Sequence, residues 1–91
     1  ILKCYYEMDD EEALLYHAAA FRIFISRDKL ISDYQRTIYR NLIRFTTAMV
    51  KARGHRKRME QLSEEVNSVR QIADINWLKK SIEEELKEMK K

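Results

Sequence analysis

The chain contains no proline and a single glycine, Gly54, in 91 residues. In a helix interior these two residues cost about 3 and 1 kcal/mol relative to alanine, so almost nothing in the composition stops a helix. Cys4 is the only cysteine. It rules out an internal disulfide and fits a reducing, cytoplasmic setting. Apolar runs are short, broken by His17, Arg22 and Arg44, and fall far below the roughly 18 residues that span a bilayer. No membrane span and no signal peptide is expected.

Motifs for chemistry are missing as well. His17, His55 and Cys4 are the only soft metal ligands and no two stand three or four apart, whereas structural zinc takes four such ligands at close intervals. No metal and no cofactor is expected. There is no G-x-S-x-G elbow, glycine-rich phosphate loop, H-E-x-x-H pair or Cys/His nucleophile arrangement. The paired acids Glu11/Glu12 and Glu83/Glu84/Glu85 fall at helix ends or on solvated faces. An enzyme and a small-molecule substrate are therefore not expected.

What is present is a mixture of 45% hydrophobic and 36% charged residues, too apolar for a disordered tail. Residues 1–91 read as one all-helical module, able to bury roughly 60–65% of its unfolded surface. Apolar residues from Ile1 onward read as part of a longer chain. The net charge of +3 hides a block pattern: residues 30–58 hold eight basic groups against one acid, and both flanks are slightly acidic.

Four to five helices are legible. Ile1–Glu7 reads as the tail of one, with Ile1, Leu2, Tyr5 and Tyr6 three to four apart. Asp9 or Asp10 can cap the next, and Asp9 with Glu12 has capping-box spacing. In Ala13–Ile25, Leu14, Ala18, Phe21 and Ile25 share one direction while Leu15, Tyr16, Ala20, Ile23 and Phe24 fill the others, which predicts a helix buried nearly all round. Ala18, Ala19 and Ala20 keep part of its girth thin. Ser32 and Gln35 form a second capping box, opening a helix to about Arg53 whose apolar arc, Tyr34 to Val50, covers half the circumference and predicts two neighbours. Gly54 offers a left-handed C-cap. From Arg56, Met59, Leu62, Val66, Val69 and Ala73 form a narrow seam. Ile72, Ile75, Leu78, Ile82, Leu86 and Met89 continue it at a different angular phase, which predicts a kink or break near residues 69–73, with one continuous helix as the alternative. Broad arcs in the first half and narrow ones in the second are the pattern of stacked helical hairpins at the end of an α-solenoid.

The stretches Phe21–Ser32, Tyr39–Phe45 and Ile72–Leu78, with their aromatic and arginine spacing, resemble the C-terminal end of uncharacterised bacterial proteins built from tetratricopeptide-like helical pairs. The resemblance covers residues 1 to about 88. It implies a repeat scaffold, stacked on upstream repeats of its own chain or on a protein partner. Relatives often carry proline near the position of Gln71, in line with a break there. No segment matches the full 34-residue tetratricopeptide signature.

Three interaction readings follow. The first is a non-catalytic scaffold for protein–protein contact. The second is a nucleic-acid or polyanion-binding face made by Arg36, Arg40, Arg44, Lys51, Arg53, Arg56, Lys57 and Arg58, whose cations would neutralise phosphates. Against base reading, the aromatics lie apart from the arginines, and a solvated face with a cationic helix C-terminus explains the same run. The third is homodimerisation through a stripe containing Leu78, Ile82 and Leu86. Trp77, off that stripe, covers the break, meets an adjacent helix or anchors a partner. His17 reads as a core or boundary residue and His55 as exposed.

Overall fold

The computed structural model describes residues 2–89, so the expectation for Ile1 lies outside the described residues. Five helices follow one another: α1 (Leu2–Glu7), α2 (Glu11–Arg27), α3 (Asp33–Lys51), α4 (Arg56–Ser68) and α5 (Ile75–Met89). No strand occurs among the described residues. The all-α class and the hairpin packing read from the sequence are what the chain adopts: α2 packs on α3, and α4 on α5. No helix among the described residues is long and apolar enough to cross a membrane.

Local chemistry explains the boundaries. Asp10, rather than Asp9, caps α2, its carboxylate accepting the Ala13 N–H at 3.1 Å. Asp9 stands at φ 61°, a left-handed conformation that a short polar side chain tolerates, and its carboxylate is used elsewhere. The expected Asp9/Glu12 box is thus replaced by a simple cap. The Ser32/Gln35 box forms in both directions: Ser32 Oγ accepts the Gln35 N–H at 3.1 Å, and Gln35 Oε1 accepts the Ser32 N–H at 3.3 Å. α3 stops at Lys51, two residues short of the expectation. Ala52 is its C-cap, and Gly54, at φ 81°, makes the following turn.

The phase slip after Val66 is a real break. α4 ends at Ser68, and residues 69–74 cross over before α5. No proline or glycine is needed, because tertiary hydrogen bonds take over the freed backbone groups: Ala73 N–H donates to the Ile38 carbonyl at 3.1 Å, and Asn41 Nδ2 donates to the Gln71 carbonyl at 2.9 Å. Asp74, at φ 52°, turns the chain into α5. Ile72 plugs the core from within this link.

α3 is the spine. One side of it gives Leu42, Phe45 and Met49 to a core shared with Met59, Leu62 and Val66 of α4 and Leu78 and Ile82 of α5. Another side gives Ile43 and Val50 to a smaller core with Leu14, Ala18 and Ile25 of α2. The broad arc meets three neighbours, α2, α4 and α5, one more than the two predicted. The near-total burial predicted for α2 is not. Only Leu14, Ala18 and Ile25 of this helix are buried, and the opposite side is open. The Cα trace is a slab of 46 × 28 × 17 Å, with α2 on its outside.

Candidate interaction surfaces

The basic residues singled out in the sequence are dispersed by the fold into different environments. Arg36 is spent on structure: its Nη2 donates to the carbonyls of Asp28 at 2.8 Å and Ile31 at 3.4 Å, closing the turn between α2 and α3. Arg53 is the hub of an ion cluster. Its Nη1 donates to Asp9 and, at 2.9 Å, to Glu11, and its Nε donates to Glu85 at 3.3 Å. The guanidinium also lies 4.6 Å over the Tyr6 ring, and the Tyr6 hydroxyl donates to Glu85. One side chain thereby ties α1, the start of α2, the α3–α4 turn and α5 together. Arg56 pairs with Glu60 at 3.0 Å along α4.

Burial and the hydrogen bond to Glu85 hold the Tyr6 phenol well above the usual tyrosine range. Burial would lower the Arg53 value, but hydrogen bonds to Tyr6, Glu11 and Asp9 outweigh it and the net shift is upward. The cleft beside this cluster, about 530 Å³, is rimmed by Glu7, Glu84 and Glu88. Arg53 and Arg36 therefore offer little to an external anion.

Of the remaining cations, Arg40, Arg44, Lys51 and Arg58 are drawn together, with a partner the sequence reading missed, while Lys57 lines neither cleft. Arg22 of α2 meets Arg44, Lys51 and Arg58 around one cleft of about 350 Å³, and Arg40 and Arg44 around an adjoining one of about 440 Å³. Neither lining contains an acid. Arg40 donates to Ser26 Oγ at 3.2 Å, and Arg44 lies 4.6 Å over the Phe45 ring. Arg40, Arg44, Lys51, Lys57 and Arg58 make no salt bridge among the described residues. Arg56, Lys57 and Arg58 open α4 rather than close α3. They stand at the positive end of a helix dipole, where cations are disfavoured and anions favoured. Arg22 was hidden because α2 was read as buried on every side.

The stripe proposed for self-association is occupied. Leu78 and Ile82 are buried in the α3–α4–α5 core, and Leu86 packs against it. Leu78 and Ile82 give a partner no free surface, and Leu86 is half-buried. Trp77 contacts an adjacent helix, as one of its readings had it, meeting Tyr6 of α1 edge-on at 5.6 Å between ring centroids.

A contiguous strip of exposed apolar surface lies on α2 instead. Tyr16 is 72% exposed, Ile23 54% and Phe24 56%, and Ala19 and Ala20 between them are exposed too. At 100° per residue the five fall within an arc of about 140°. Leu30, 95% exposed, and Tyr34, 63% exposed, extend apolar surface past the end of the helix. His17 borders the face, stacked on Tyr5 at 4.8 Å and bonded to its hydroxyl at 3.2 Å. His55 is exposed, as expected. The described residues contain no group of acids, histidines and cysteines able to hold a metal ion.

No family model matches the chain, and no curated protein or solved structure matches it either.

Proposed function

We propose that this module is a non-catalytic helical scaffold whose work is protein–protein contact, with the outer face of α2 as its docking surface. A contiguous strip of one helix, with three large apolar side chains more than half exposed, carries the reading. Scattered apolar residues are ordinary on a protein surface, but a strip following one helix face marks an interface. The resemblance to the end of a tetratricopeptide-like array fits the same face, because a stacked helical pair would cover it, whether upstream in the chain or in another protein. A cytoplasmic location belongs to this reading.

The test compares wild type with an Ile23→Asp/Phe24→Asp variant as paired baits, after circular dichroism shows equal helicity. The reading predicts protein partners retained by wild type and lost by the variant. Identical retention by both would overturn it.

A second reading is favoured by a separate observation: the acid-free clefts that gather Arg22, Arg40, Arg44, Lys51 and Arg58. They suit a phosphate-bearing polyanion. Affinity for random DNA that falls steeply from about 50 to 200 mM salt would support this reading. Negligible affinity at the lower salt would remove it.

A further inference from the structure

We infer that the occupant of the α2 face is a second copy of the same helix, packed antiparallel about a two-fold axis between Ala19 and Ala20. This rests on the docking face proposed above and names its partner.

The face is self-complementary in shape. When one copy of α2 runs antiparallel to another with the axis between residues 19 and 20, residue 16 faces residue 23 at the same height, 19 faces 20, and 12 faces 27. Tyr16 then meets Ile23 of the second copy twice, once on each side of the axis. The two alanines lie at the centre, where only small side chains let helix axes approach to about 8 Å. Phe24 closes the flank.

The face is also self-complementary in charge. Glu12 and Arg27 are both exposed, on the same arc as the apolar strip at its opposite ends, and neither has an ion-pair partner among the described residues. Antiparallel pairing sets Glu12 of each copy against Arg27 of the other, two ion pairs in all. Parallel pairing would set Glu12 against Glu12 and Arg27 against Arg27. A repeated patch that matches itself after a two-fold rotation is the geometry of an isologous dimer. The area is modest: a helix of 17 residues is about 25 Å long, which reaches only the lower end of the 1,200–2,000 Å² that specific interfaces bury. The dimer is accordingly weak and concentration-dependent.

Sedimentation equilibrium from about 1 to 500 μM should show wild type passing from monomer to dimer. Ile23→Asp, already exposed and outside both cores, should weaken association more than about a hundredfold. Glu12→Arg alone and Arg27→Glu alone should each weaken it about tenfold, and the two together should restore it. In a Cys4→Ser background, Ala20→Cys should form an intermolecular disulfide, since the two copies of residue 20 come within bridging distance. Glu12→Cys should not, its copies being about 22 Å apart.

A monomer at every concentration overturns the inference, as does a dimer indifferent to Ile23→Asp. Failure of the double charge reversal to restore association, or cross-linking of Glu12→Cys as fast as Ala20→Cys, overturns the antiparallel register. If wild type stays monomeric while a different protein binds it and loses that binding on Ile23→Asp/Phe24→Asp, the second copy is rejected and the docking face stands. If neither association is found, the docking face falls as well.

Discussion

The two sides of α3 are finished to different degrees. Toward α4 and α5 its apolar residues enter a core sealed on all sides, with Phe45, Met49, Met59, Leu62, Val66, Leu78 and Ile82 at 1% exposure or less. Toward α2 the core is thinner, resting on Leu14, Ala18, Ile25, Ile43 and Val50, and the helix that covers it is apolar on its far side too. A helix that ends a fold has one greasy stripe, whereas a helix inside a layered array has two. α4 and α5 have the first character and α2 the second. The slab is complete at one edge and left open at the other.

The contrast predicts a gradient of sensitivities. The largest effect belongs to the sealed side. Phe45→Ala should cost about 3–5 kcal/mol in urea unfolding, a large part of the roughly 5–13 kcal/mol expected for a chain of this size. A loss under about 1 kcal/mol would mean that this core is not closed.

Next comes the clamp joining the two edges. Arg53→Ala should cost about 1–3 kcal/mol, since Glu85, its side chain only 16% exposed, would lose a charged partner in a half-buried site. A double-mutant cycle should give stronger coupling of Arg53 with Glu85 than with Asp9. The Asp9 contact is the shorter one, but its carboxylate is 79% exposed and screened by water. Equal couplings would contradict that ranking.

Local structure follows. Ser32→Ala should cost about 1 kcal/mol through loss of the capping box that starts the spine, measurable as a lower urea midpoint at unchanged slope.

A pH effect sharpens the same comparison at the clamp. The folded state holds the Tyr6 phenol protonated above its ordinary range, so its contribution is complete below the unfolded value near pH 10 and is lost as pH rises beyond it. Wild type should lose more stability than Tyr6→Phe between about pH 9.5 and 11. Parallel curves for the two proteins would contradict this.

Much of the architecture was readable because it rests on local rules. The Ser32/Gln35 box, the two-sided arc of α3 and the slip in phase that marks the α4–α5 break follow from periodicity and capping, which act within a few residues. The hydrogen bonds that hold the break, from Ala73 to Ile38 and from Asn41 to Gln71, join positions 35 and 30 apart, so no local pattern signals them. Asp9 and Asp10 are equivalent by composition; long-range pairing with Arg53 draws Asp9 out of the capping role. The basic run shows the same limit. Arg53 and Arg58, five positions apart, part company because one faces Asp9, Glu11 and Glu85 while the other faces Arg22. The breadth of the apolar arc on α2 was legible, but an arc reports that something must cover it, not whether the cover lies within these residues.

The smallest predicted effect is the most direct test of the open edge. Urea unfolding of Ile23→Asp at about 1 μM, where the chain is monomeric, should match wild type within about 0.5 kcal/mol, as for a surface substitution. A loss of 2 kcal/mol or more would show that Ile23 is packed within the single chain, and the account of α2 as an uncovered docking face would be wrong.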